Sequence, residues 1–130
     1  MPIKCTLEDG IVYTEISGEL NLEVARSHME YLASLKDRIR NLYEMEDLNG
    51  VTKVSFSADD FHKMVRVATK PQQTYKHEFL AYYAETDFAF GMARMAQIYF
   101  ELNGHPMHIE VFKDRGEAIR FLKEKKAQYG

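Results

Sequence analysis

Stretches with the two-residue period of a β-strand alternate along this chain with longer stretches that have the period of an α-helix. Ile3, Cys5 and Leu7 alternate with polar residues, and the β-branched run 11–16 follows a short Asp9-Gly10 turn. This pattern predicts an antiparallel hairpin. Helical stripes separate the later strands, so those strands should pair in parallel. The predicted fold is α/β, with a mixed, mostly parallel sheet of about five strands, an N-terminal antiparallel hairpin and four helices in the order ββαβαβαβα.

The later elements also have predicted limits. Ser17-Gly18 should end the second strand. Asn49-Gly50 should form a turn between a short strand at 42–48 and the run 51–56, a strand or loop that leads into the second helix. The first helix should present apolar residues on one side between Leu22 and Ile39. Further strands are predicted at 79–84 and 107–112, and the third helix should run to about Leu102.

Residues that cap helices stand at the start of each helical stripe. Asn21 precedes the first helix, Thr86 or Asp87 the third and Asp114 the fourth. Ser57 and Asp60 have the spacing of a capping box, in which each side chain accepts a backbone N–H of the other residue. The second helix then has an apolar stripe, which comprises Phe61, Met64, Val65 and Ala68.

Length and charge limit the class of protein. The 130 residues fit a single domain spanning 1–130. The net charge of −3 argues against binding to nucleic acid, because no surface is rich in Lys and Arg. The chain start lacks the pattern of a secretory signal, no apolar run is long enough to span a membrane, and Cys5 is the lone cysteine. We therefore expect a cytoplasmic protein.

Several segments resemble the STAS or SpoIIAA-like group, which has the fold of the bacterial anti-anti-sigma factors. Glu44 stands where that group commonly has an aspartate, and Val54-Ser-Phe56 is similar to the approach to its phosphorylated serine. The segments GELNLE, YAETDFAFGMARM and IEVF are more similar to its divergent members, which are likened to lipid-binding CRAL-TRIO domains. The resemblance implies the fold predicted above and a role in signalling. The phosphorylated serine of that group lies in an Asp-Ser-Ser-Gly motif. Residues 57–60 of this chain are Ser-Ala-Asp-Asp instead, so Ala58 or Asp59 occupies the phosphoacceptor position.

The start of the second helix is the first predicted binding site. Ser57, Asp59 and Asp60 lie at a helix N-terminus, where unpaired N–H groups can face a partner. Asp59 would be a fixed negative charge that mimics a phosphorylated switch. Helix capping alone also explains Ser57 and Asp60. Loops at the same sheet edge would add further acidic residues to this site: Asp47, Glu85 and Asp87.

The third helix carries more apolar surface than one buried stripe needs. Phe88, Met92 and Met95 should share one face, which leaves Phe90 exposed. Three interpretations are open: a deeply buried helix, a homodimer surface, or a pocket for an apolar ligand lined by adaptable Met side chains.

Catalytic and metal motifs are weak in this sequence. His105-Pro-Met-His108 has a nominal H-x-x-H spacing, but Pro106 prevents a helix that would align the two rings. His28 is interpreted as a packed helix residue. We expect no enzyme activity, cofactor or metal, although an enzyme that uses the acidic edge is a third hypothesis. The sequence favours a STAS-like adaptor or self-associating module that binds a protein partner, and alternatively a carrier of a small apolar ligand between the third helix and the sheet.

Overall fold

A computed structural model of the chain describes residues 2–55, 57–68 and 75–130, with only the backbone described at 64–68. It contains five strands and four helices in the described ranges. These elements are β1 (Ile3–Glu8), β2 (Ile11–Asn21), α1 (Leu22–Ser34), β3 (Leu42–Ser55), α2 (Ala58–Ala68), β4 (Glu78–Tyr83), α3 (Asp87–Leu102), β5 (His108–Phe112) and α4 (Arg115–Tyr129). The order confirms the α/β prediction. None of the described helices is long and apolar enough to cross a membrane.

The strands form one mixed sheet in the spatial order β1-β2-β3-β4-β5. β1 and β2 are antiparallel, and the remaining pairs are parallel. Helices α1, α2 and α3 contribute Val24, Phe61 and Ala89 to a core on one face of the sheet. Helix α4 packs Ala118 and Leu122 on the other face. Both faces of β3 and β4 are therefore covered, as a parallel sheet requires.

The opening hairpin turns as the sequence predicts. Asp9 and Gly10 both have positive φ angles, 52° and 77°. Two successive residues with positive φ allow a two-residue loop to follow the twist of the strands, and glycine adopts this conformation without steric cost.

The predicted limits of β2 and β3 are wrong. β2 continues past Ser17-Gly18 to Asn21, and β3 runs without a turn through Asn49-Gly50 to Ser55. The pairing of the two strands contains irregularities beside these glycines. A Cβ atom on Gly50 would lie 3.0 Å from Cβ of Ser17 and 3.2 Å from the Ile16 carbonyl oxygen. Gly50 therefore allows the backbones of β2 and β3 to approach closely within the sheet.

The helix caps agree with the sequence. Each capping side chain accepts a hydrogen bond from the backbone N–H three residues later. Asn21 accepts from Val24, Thr86 accepts from Ala89, and Asp114 accepts from Glu117. α1 ends at Ser34, before the predicted Ile39. The stripe residues Met64, Val65 and Ala68 have side chains outside the described residues.

The predicted orientation of α3 is wrong. Its buried face consists of three alanines with one glutamine, Ala89, Ala93, Ala96 and Gln97. Phe88 is 52% exposed and Leu102 is 78% exposed. Phe90, predicted to be exposed, is half-buried against the core, with the Lys113 Nζ 4.8 Å from its ring centroid. Small side chains face the sheet because they bring the helix axis close to it, so the larger side chains lie at the flanks.

Candidate functional site

Two glutamates lie on a covered face of β3. Successive side chains of a strand point to opposite faces, so Leu42, Glu44, Glu46 and Leu48 share the face that α1 and α3 cover. Glu44 is 2% exposed and Glu46 is 8% exposed. Carboxylates are rarely buried to this extent without a partner. These two residues therefore mark a site rather than a solvated surface.

Glu44 is paired with His28 of α1. The His28 Nε2 lies 2.5 Å from Oε2 of Glu44, and the Thr14 hydroxyl donates to the same oxygen at 2.7 Å. Burial disfavours the charged imidazole, but the negative charges of Glu44 and Glu46 and the hydrogen bond to Glu44 outweigh it and raise the pKa of His28 to about 9. A protonated His28 and an ionised Glu44 form a buried ion pair.

Glu46 has no such partner among the described residues. Within the described part of the chain, no hydrogen-bond donor contacts its carboxyl group. Burial raises the pKa of Glu46, the charge of His28 opposes this and the charge of Glu44 adds to it, and together they bring the pKa to about 7. Across the sheet Glu46 is in register with Tyr82 of β4, so both side chains lie on the same face. An acid with a strongly raised pKa in an apolar cleft is a common feature of functional sites.

Both glutamates line a cavity of about 590 Å³ between the sheet and helices α1, α2 and α3. Its wall is mainly apolar. Contributing side chains include Ile16, Leu20, Leu22, Ala25, Met29, Leu32, Leu42, Leu48, Val54, Phe61, Leu80, Met92, Met95, Ala96, Phe100 and Met107. Its volume is in the usual range for small-molecule sites.

His28, Glu44 and Glu46 are also donor types that bind divalent cations, and their ligating atoms lie within 4.8 Å of one another. The contact between His28 and Glu44 already occupies the imidazole nitrogen and one carboxylate oxygen. A metal would have to displace the proton that these two groups share. The arrangement therefore fits an ion pair better than a set of metal ligands.

The predicted site residues at the start of α2 lie on the surface. The Asp60 N–H donates to Ser57 Oγ at 3.1 Å, and the Ser57 N–H donates to Asp60 Oδ2 at 3.2 Å. The capping box is thus confirmed, and Ser57 and Asp59 are exposed. None of these three residues lines the cavity.

The structure brings part of the predicted acidic edge together. Oδ1 of Asp47 accepts the Asn49 N–H at 2.9 Å, and Oδ1 of Asn49 accepts the Glu85 N–H at 2.6 Å. Asp87 lies in the first turn of α3. Hydrogen bonds with neighbouring groups account for Asp47, so its carboxylate has a structural role.

The predicted pocket residues of α3 divide into two groups. Met92 and Met95 line the cavity, as the carrier hypothesis expects. Phe88, assigned to the same lining, instead lies on the outer side of α3. This correction follows from the alanine face described above, which rotates Phe88 away from the sheet.

Comparison with known proteins tests the fold. No protein-family model matches the chain, and no curated protein sequence matches it. A solved structure that it resembles is an uncharacterised protein of the DUF3478 family with a SpoIIAA-like fold from Shewanella loihica PV-4. The TM-score is 0.61 at 17% identity, covering 92% of this chain and 91% of that one. The fold is SpoIIAA-like. A structure described as Mglu also aligns, with 13% identity and a TM-score of 0.41 over 88% of this chain and 20% of that one.

The SpoIIAA-like fold agrees with the predicted resemblance, but the polar end of the cavity, formed by His28, Glu44 and Glu46, was not predicted. Sequence reasoning noted Glu44 only for its similarity to a family aspartate, treated His28 as packing and did not consider Glu46. One signal was present: Glu44 and Glu46 alternate with apolar residues inside the run LYEMEDL. Two charges at a two-residue spacing in a strand with helices on both sides would be buried.

Proposed function

We propose that this protein binds a small, largely apolar molecule in the cavity between the sheet and helices α1, α2 and α3, without catalysing a reaction. The observation that carries the proposal is the cavity of about 590 Å³ with its mainly aliphatic wall. Ligand sites are typically preformed clefts of this size, with a few polar groups that orient the ligand. His28, Glu44 and Glu46 supply those polar groups at one place in the wall.

The composition of the wall supports a ligand of variable shape. Met29, Met92, Met95 and Met107 all contribute to it. Methionine side chains are flexible and polarisable, so they adapt to ligands of different outline. Among the described lining residues there is no Ser, Thr or Cys that could act as a nucleophile. This composition favours binding over covalent catalysis.

A direct test uses diphenylhexatriene, a hydrocarbon dye that fluoresces in apolar surroundings. Wild-type protein should bind about one equivalent. Ala96→Phe places a ring in the cavity from the buried face of α3 and should abolish binding. Ala127→Phe, on the exposed side of α4, is the matched control and should bind like wild type.

Native mass spectrometry of protein purified from cells adds a second measurement. A retained small molecule that Ala96→Phe lacks would support the proposal. If folded wild-type protein, verified by circular dichroism, binds no dye and carries no small molecule, the proposal is wrong.

A second candidate function is contact with a protein partner or a second copy through α3. Phe88, Met95 and Leu102 are exposed and recur every seven residues, and exposed Ile98 lies between the last two. Residues seven apart lie on the same side of a helix, so these four form an apolar stripe. Such a stripe on a surface helix is typical of helix-to-helix association.

A further inference from the structure

We infer that the polar end of the cavity binds an ammonium group, so that the ligand is an apolar amine held as a cation by Glu46. The inference rests on the proposed binding function and adds the chemical class of the ligand. It follows from Glu46, the buried carboxyl group of the described wall that receives no hydrogen bond from the described residues.

The neighbouring carboxyl group, Glu44, already has its hydrogen bonds. Glu44 accepts hydrogen bonds from both His28 and Thr14. His28 has its Nε2 committed to Glu44. Glu46 is 8% exposed, lines the cavity and receives no hydrogen bond from the described residues. Its carboxyl group opens into the cavity, so a ligand that donates to it forms a charge-assisted hydrogen bond in apolar surroundings.

The charges of the described wall leave Glu46 unbalanced. His28 and Glu44 neutralise each other as an ion pair. Four other charged side chains line the cavity, and all of them are at least partly exposed. The two cations, Arg26 and Lys63, balance the charges of the two anions, Glu30 and Glu78. His105 accepts the Met107 N–H at Nδ1, so that nitrogen carries no proton. A ligand with one positive charge therefore makes the cavity neutral overall.

Tyr82 provides a second acceptor for the ammonium group. It is in register with Glu46 on the neighbouring strand and also lines the cavity. Burial and the nearby charges of Glu46 and Glu44 raise the pKa of Tyr82 well above its usual value, so the phenol stays neutral. An ammonium group has three N–H donors and can reach a carboxylate and a phenol oxygen together.

Other head groups fit this end of the cavity less well. A carboxylate ligand would bring a third acid beside Glu44 and Glu46, and like charges repel strongly at low dielectric constant. An alcohol could donate one hydrogen bond to Glu46 but would leave its charge unbalanced. A divalent metal ion would have to displace the proton between His28 and Glu44.

Three ligands with the same chain and different heads test the inference: decylamine, 1-decanol and decanoate. Calorimetric titration at pH 7.5 should give decylamine at least 10-fold higher affinity than 1-decanol, with decanoate the weakest. Glu46→Gln keeps the shape of the side chain and removes its charge. We expect this variant to bind decylamine and 1-decanol about equally, while Glu110→Gln, an exposed glutamate on β5, should behave like wild type.

The outcomes separate the inference from the proposed function. If all three ligands bind wild type equally, or if 1-decanol or decanoate binds best, the cavity binds apolar molecules but the ammonium assignment is wrong. If none binds, both proposals fail. Dialysis against ZnCl₂ is the remaining check: one retained equivalent of zinc that Glu46→Gln abolishes would show a metal site and overturn the inference.

Discussion

His28 of α1 and Glu44 of β3 form a buried ion pair, with Nε2 and Oε2 separated by 2.5 Å. The histidine side chain is 12% exposed and that of the glutamate 3% exposed. The pair links a helix to the centre of the sheet at the edge of an apolar cavity. Glu46 lies two positions further along the same strand. His28 and Glu46 both make the stability of the fold decrease as the pH rises, over two different pH ranges.

The first prediction concerns His28. Its folded pKa of about 9 is above the usual value of 6.5, so its contribution to stability is complete below about pH 6.5 and is lost as the pH rises through 9. We expect His28→Gln to reduce the free energy of unfolding by a few kcal/mol at pH 6 and by much less at pH 9.5. Denaturant unfolding at both pH values measures this. An equal loss at both pH values would show that His28 is neutral in the folded protein.

The second prediction concerns Glu46, whose pKa is raised from 4.5 to about 7. The folded state holds this proton more tightly than the unfolded state, so stability falls as the pH rises from about 4.5 through 7. Glu46→Gln should therefore raise the free energy of unfolding by a few kcal/mol at pH 8 and have little effect at pH 4.5.

Unfolding of Glu46→Gln, Glu110→Gln and wild type at the two pH values tests this expectation. Glu110 is exposed, so its substitution should change stability by less than about 0.5 kcal/mol. A destabilised Glu46→Gln at pH 8 would mean that the carboxylate is compensated in the folded protein. A stabilising substitution is the expected signature of a residue kept for binding.

The third prediction concerns the apolar stripe on α3. If the stripe mediates self-association, light scattering should give twice the chain mass for wild type. A double substitution of Ile98→Lys and Leu102→Lys should give the monomer, because charges would be buried at the contact. Neither residue lines the cavity, so dye binding should persist. Ala127→Lys on α4 serves as the surface control, and a monomeric wild type at 100 µM or more would contradict self-association.

The fourth prediction concerns the start of α2. Ser57 and Asp60 exchange hydrogen bonds there, so Ser57→Ala should lower the free energy of unfolding by about 1 kcal/mol. Asp59 is exposed and takes no part in the capping box, so its substitution is the control for Ser57→Ala. Asp59→Asn should leave stability nearly unchanged, within about 0.5 kcal/mol. If the signalling hypothesis holds, Asp59→Asn should nevertheless lose a partner in a pull-down; retention of every partner would count against it.

Sequence patterns predicted the fold because they report local constraints. The alternation of strand and helix periods gave the element order, and the capping residues Asn21, Ser57 and Asp114 marked helix starts. A cap acts within three residues of its own backbone, so its signal is contained in the sequence nearby. The Asp9-Gly10 turn was predictable for the same reason.

Predictions failed where a distant segment decides the outcome. Asn49-Gly50 has the composition of a turn, yet Gly50 lies in a strand because Ser17 approaches it across the sheet. Phe88 is large and apolar, as core residues usually are, yet it is exposed because the alanine face of α3 packs on the sheet instead. In each case a local preference was outweighed by packing with residues far away in the chain.

The amino-acid sequence alone determined the number, type and order of the elements and that Glu44 and Glu46 share one face of β3. It also contained the excess of apolar side chains in α3. Only the tertiary structure decided that His28 reaches Glu44, that no described residue donates a hydrogen bond to Glu46 and that a cavity separates the helices from the sheet. Periodicity and capping depend on neighbours within a few residues, whereas an ion pair and a cavity depend on how three helices pack against one sheet.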